Sequence, residues 1–346
     1  MFVYFPAFFI AIACDQRWAL VMMTCRCIAH VLENRRGFTL NNIRLALKVL
    51  LRLLLAFGVL LGAVQIFRLF VLPALQFLFN PGDSITSLLR RTGIFVFAVL
   101  AYWSYVRFFE KRRAEELHPA PLATAIGALS GSLLIAFAML ILFAFATYQA
   151  TAYHGLQPGL LGVAGLILIA AVLEELAYRC ILFRILENAW GTIPALWLQS
   201  SIFALMHIAN VEDRASVQEL FTTVLSGTLI GAFWTLVFVH SRNLWVVAAN
   251  HAAWNFTIIL AGLPLSGIEG WRNLAPIASE YHGAAWLTGG VFGPEDSIVT
   301  MVIVTGTLAG MLYWAKRKNR LRNGAAQLNG DNGFSEPFRS VRSENT

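Results

Sequence analysis

The sequence predicts an all-α fold: a polytopic membrane bundle of about eight transmembrane helices, with an amino-terminal interfacial or re-entrant element. Three observations predict it. Of the 346 residues 58% are hydrophobic and only 13% charged, with mean hydropathy +0.66, whereas a soluble domain carries about 25% charge. The apolar residues fall into runs that match the roughly 20 residues a helix needs to cross a bilayer. The basic residues cluster between and after those runs. An ordinary soluble domain is excluded, and so is a disordered chain, which is polar and highly charged.

Residues 1–32 are apolar but short of a span. Met1 to Ala13 has no Lys or Arg before its apolar run, so it lacks the basic start of a signal peptide. We read this stretch as interfacial or re-entrant, within an amino-terminal amphipathic segment 1–48. Arg35, Arg36, Arg44, Lys48 and Arg52 then precede and enter the first span, about 49–72, which ends at Pro73. The second span is about 93–109, followed by the polar break EKRRAEELHP. The third is about 122–148, the fourth 160–186, the fifth 192–209, the sixth 220–239 and the seventh 244–263. A loop over 264–296, rich in Gly and Pro, leads to the last span, about 298–314. The bundle thus covers 49–315, and a polar tail over 316–346 reads as disordered.

The charge of +7 invites a nucleic-acid partner, but its placement argues for the lipid bilayer instead. Lys111, Arg112 and Arg113 lie in one loop, and Lys316, Arg317, Lys318, Arg320 and Arg322 follow the last span. Loop 149–159 has no Lys or Arg, and 264–296 has one Arg against four acids. The positive-inside rule then puts both termini in the cytoplasm, with Arg90 and Arg91 as exceptions on the outer side. The ending SVRSENT shows no retention signal, which favours a bacterial inner membrane. Cys14, Cys25, Cys27 and Cys180 show no CxxC pairing, so neither a disulfide framework nor a Cys-based zinc site is indicated.

Ionisable side chains in mid-span are costly, roughly 2.5–3.5 kcal/mol on insertion scales. They stand out at three places. In GLILIAAVLEELAYRCILF, Glu175 and Arg179 are i, i+4 and can pair on one face, leaving Glu174 on a neighbouring face. In SSIFALMHIAN, Phe203 and His207 are i, i+4. In LWVVAANHAAWNF, His251 and Asn255 are i, i+4, with Asn250 beside them. Each has a plain structural account: a buried ion pair, a packed histidine, an interhelical hydrogen bond. Together they supply a carboxylate base, an imidazole and an imidazole–amide pair, which are the parts of water-driven amide hydrolysis. Glu174, His207 and His251 are also candidate metal ligands, so zinc stays open as a cofactor, although HExxH is absent.

These residues carry a resemblance. EELAYR at Glu174, Glu175 and Arg179 is an EExxxR motif, FALMH at Phe203 and His207 an FxxxH motif, and HAAWN at His251 and Asn255 an HxxxN motif. In that order on apolar helices they resemble the CPBP family: CAAX prenyl proteases and bacteriocin-processing or Abi-type intramembrane proteases. The matched core is about 160–260. The resemblance implies an endopeptidase acting on a membrane-associated protein or peptide, with Glu174 activating water and His207 holding it. It gives His251 and Asn255 the oxyanion and makes Glu175, Arg179 and Phe203 supporting residues. Family descriptions with and without a metal leave cofactor use open. The other readings are a proton-coupled transporter, since membrane Glu, His and Arg also mark proton relays, and a non-catalytic peptide-binding immunity protein.

Overall fold

The computed structural model describes residues 40–211 and 213–324. The interfacial element expected over 1–32, and the tail beyond 324, lie outside them. Seven described helices are long and apolar enough to cross a membrane, and an eighth apolar helix, Leu244–Leu260, is shorter. The polytopic helical bundle is therefore as expected.

Helix α1 (Leu40–Ile66) does not stop at Pro73. A π turn over Phe67–Val71 carries it into α2 (Leu72–Phe79). Pro73 lacks an N–H, and in a regular helix its ring would strike the carbonyl four residues back. The wider turn just before it opens that space. The helix stops seven residues later, where Asn80 turns left-handed at φ 41°. Next come α3 (Asp83–Ser104), which ends in a second π turn, and α4 (Pro121–Ala144), which has Pro121 at its start. There the missing N–H costs nothing, because no helical acceptor precedes it.

The expected third span runs past the observed helix. Ala146 adopts φ 55°, and the chain enters strand β1 (Tyr148–Tyr153). It pairs antiparallel with β2 (Ile277–Tyr281), Tyr148 facing Tyr281 and Tyr153 facing Ile277. The strands come from the loops before the fourth span and before the last, so both loops lie at the same end of the bundle. No strand was expected, since each is too short and irregular to show an alternating pattern.

The fourth span is α5 (Leu160–Glu175), a π stretch over Leu176–Phe183, and α6 (Arg184–Trp190). Helix α7 (Thr192–His207) follows after Gly191 alone, whose φ of 87° makes the turn. Helix α8 (Val217–Ser241) opens on a capping box of Ser216 and Glu219. It is the most enclosed span, with 67% of its apolar window buried. Helix α9 (Leu244–Leu260) begins where Asn243 accepts from the amides of Trp245 and Val246. A short α10 (Ala285–Thr288) precedes α11 (Ile298–Arg317).

Small residues set the approach of the helices that matter. In α4, Gly127 and Gly131 form a GxxxG pair against α9. A Cβ on Gly131 would lie 2.2 Å from the Asn250 carbonyl oxygen. With no hydrophobic drive between helices in lipid, such close backbone contact holds them together. Exposed Leu54, Phe77, Leu122 and Leu161 present the outer faces to lipid.

The end bearing the basic loops is tied by ion pairs. Arg112 bonds Glu110 and Glu116, Arg184 bonds Glu110, and the Tyr102 hydroxyl donates to Glu116. Arg242 pairs with Glu187 at 2.5 Å. The start of the tail is ordered rather than free: the Thr192 amide donates to the Arg322 carbonyl at 3.0 Å, and Asn323 bridges Gly191.

Candidate active site

The three motifs meet in the bundle. Glu174 and Glu175 end α5, His207 ends α7, and His251 and Asn255 face inward from the middle of α9. Arg179 reaches back from the π stretch to donate to Glu175 Oε1 at 2.9 Å, and both side chains are fully buried. Its other amino group donates to the Gly231 carbonyl on α8 at 2.9 Å. The guanidinium lies over the Phe203 ring at 5.0 Å. The i, i+4 pairing expected from the sequence is present, and it links α5, α7 and α8.

His251 is held on two sides. Its Nδ1 lies 2.8 Å from Glu175 Oε1, and its ring stacks on Trp234 at 3.6 Å. A carboxylate only accepts, so Nδ1 carries the proton, and in the neutral ring Nε2 keeps its lone pair. That Nε2 faces Glu174 Oε2 at 3.9 Å. The same reasoning fixes His207: its Nδ1 lies 2.8 Å from the Phe203 carbonyl, which can only accept, so Nε2 is the bare nitrogen. Asn255 lines the same cavity, and its Oδ1 is buried with no hydrogen-bond partner among the described residues. Asn250 is committed elsewhere, accepting from Trp234 Nε1 and donating to the Gly127 carbonyl.

Glu174, His207, His251 and Asn255 share a cavity of about 530 Å³, counting its open part. The rest of its wall holds residues that sequence reasoning missed, chiefly in the 264–296 loop. Glu295 is buried, accepts from the Ser266 amide and hydroxyl at 3.0 and 2.6 Å, and faces Trp254 Nε1 at 3.3 Å. It joins the loop to α9. Burial pushes its carboxyl above the usual range, against the pull of those donors. The turn Leu265–Ile268 lines the cavity. Asn210 donates to the Ser266 carbonyl and Arg214 to that of Gly267. Gly267 has φ 82°, and a Cβ there would strike Val211 at 2.4 Å. The only sequence signal was a loop with more acids than bases, and nothing in its spacing pointed to the cavity.

Among the described residues no three His, Cys, Asp or Glu side chains are grouped closely enough to hold a metal ion. Of the candidate ligands, His251 and His207 each keep Nε2 bare, and both line the cavity with Glu174.

Residues 156–257 match the family model described as type II CAAX prenyl endopeptidase Rce1-like. The match takes in α5 to most of α9, and so all three motifs, but not the 264–296 loop. Over those residues the chain is similar to the CAAX protease family. No curated protein and no solved structure matches the chain.

Proposed function

We propose that this chain, a CAAX-type intramembrane endopeptidase, hydrolyses a peptide bond of a membrane-associated protein or peptide with water activated by Glu174. The observation that carries the reading is the 3.9 Å gap between Glu174 Oε2 and His251 Nε2. Both atoms accept in the reactive state. A water about 2.8 Å from each subtends roughly a right angle between them, near its own bond angle. It donates one proton to each, and its lone pairs are left facing the cavity.

Glu174 then takes the proton as the water attacks the scissile carbonyl. The carbonyl oxygen becomes an oxyanion beside Asn255, whose amide donates to it. The tetrahedral intermediate collapses as Glu174 returns the proton to the leaving amine, which gives a free carboxyl and a free amine. His207, with its bare Nε2, accepts from the substrate N–H. This shifts His251 from the oxyanion role that the resemblance implies to a share in holding the water. Glu175 and Arg179 keep His251 in the tautomer this needs. No step passes through a metal.

The test is a peptidase assay on purified protein in detergent, with chelator and zinc add-back arms. Glu174→Gln should lower turnover about 10² to 10⁴-fold, the usual share of a general base. Undiminished turnover would remove Glu174 from the mechanism, and chelator-sensitive activity restored by zinc would replace the metal-free route. Whether the substrate is prenylated is read in the same assay from paired lipidated and plain peptides.

A further inference from the structure

We propose that the cavity opens to the outer face of the membrane, so that its substrates present the scissile peptide from the non-cytoplasmic side. The first support is where the cavity walls lie. Its innermost lining residues are Glu174, Phe203, Trp234 and His251. The others lie further toward the sheet end: Ile167 and Ala170 upstream on α5, Gly227 and Ile230 upstream on α8, Asn255 downstream on α9, and the loop bearing β2. All three helices have their sheet-side ends in those directions.

The second support is what lies beneath. Below the site the bundle is packed shut: Glu175, Arg179, Cys180 and Phe183 are fully buried. The ion-paired layer of Arg112, Glu116 and Arg184 follows.

The third is charge. The closed end carries Lys111, Arg112, Arg113, Arg242, Lys316, Arg317, Lys318, Arg320 and Arg322. The loops at the cavity end, 145–159, 211–216 and 261–297, carry only Arg214 and Arg272, and the turn at 80–82 carries none, with Arg90 and Arg91 about two turns further into α3. Basic loops stay in the cytoplasm, so the mouth faces away from it. A cytoplasmic carboxyl-terminal peptide would meet the sealed end. An exported peptide, or the outer juxtamembrane stretch of a membrane protein, meets the open one. This substrate class rests on the endopeptidase reading; the direction of opening does not.

The experiment separates the two. Full-length protein with Cys14, Cys25 and Cys27 changed to Ser, and buried Cys180 kept, receives one exposed cysteine: Glu280→Cys at the sheet end, or Arg113→Cys or Lys318→Cys at the other. Intact bacterial cells are treated with a membrane-impermeant maleimide. Labelling of the Glu280→Cys protein before lysis, and of the other two only after it, is expected; the reverse pattern overturns the proposal. The same cells, with native cysteines restored, carry single-span fusions bearing a randomised juxtamembrane peptide library on the outer or the cytoplasmic side. Glu174-dependent cleavage of the outer set alone is expected. Cleavage of the cytoplasmic set, or of both, overturns the substrate class. Cleavage of neither, with labelling as expected, rejects the endopeptidase reading and the substrate class with it, and leaves the direction of opening standing.

Discussion

Glu174 and Glu175 are adjacent, yet their substitution should have opposite signatures. Glu175 is wholly buried against Arg179 and His251. Glu175→Ala leaves a buried guanidinium without its carboxylate, and breaking one side of such a pair costs about 3–5 kcal/mol. A clear fall in the detergent unfolding temperature, with activity lost alongside, is the expected result. Glu174 makes no such pair and borders the cavity, so Glu174→Gln should unfold close to wild type while turnover collapses. Asn255→Ala should reduce kcat about 10² to 10³-fold, as for loss of an oxyanion donor, with KM little changed. At this scale much was legible, because i, i+4 spacing on an apolar helix fixes which side chains share a face. Glu175–Arg179 and Phe203–His207 were readable in that way. The contact of His251 with Glu175 was not, since it depends on how α9 is rotated against α5. Glu295 was hidden for a related reason: a loop carboxylate has no periodicity to show where it folds back.

Helices α4 and α9 touch through Gly127 and Gly131, and this contact fixes the height of Asn250 and His251. Gly131→Val has no room for its side chain, with the Asn250 backbone in the way. Overpacking of this kind costs about 1–3 kcal/mol. Lower thermal stability together with reduced kcat is expected, since α9 carries His251. Gly62→Val in α1, where a Cβ meets nothing within 4 Å, should change neither and serves as the control. The spans were legible as elements because twenty-odd apolar residues admit little else. Their irregularities were not. The π turn before Pro73 turned an expected stop into a passage, and the two paired strands arose from loops 130 residues apart in sequence. Local composition records neither event.

Across the whole molecule the two ends respond oppositely to acid. At the cavity end Asp296 is buried, with Thr223 donating to it at 2.5 Å and Ser226 also donating. Burial outweighs those donors and raises its carboxyl from 3.8 to about 7. The folded form thus binds a proton more tightly than the unfolded form, and stability falls as pH rises from about 4 to about 7. Asp296→Asn should flatten that slope in unfolding measured across the interval. At the basic end burial pushes the Glu116 carboxyl up, but Arg112 and then Arg184 outweigh it and hold it low. Its contribution is full above the ordinary carboxylate range and is lost as pH falls below it. Glu116→Gln should therefore lower stability at neutral pH and narrow its gap from wild type in acid.

The backbone contact between Thr192 and Arg322 has a consequence for synthesis. Residues 320–324 supply the acceptor for the Thr192 amide, one of the unsatisfied donors at the start of α7. That partner lies 130 positions downstream. A ribosome delivering the helices in order therefore leaves the first amide of the His207 helix without this acceptor until Arg322 has been made, so that helix is completed well after its own segment has been inserted.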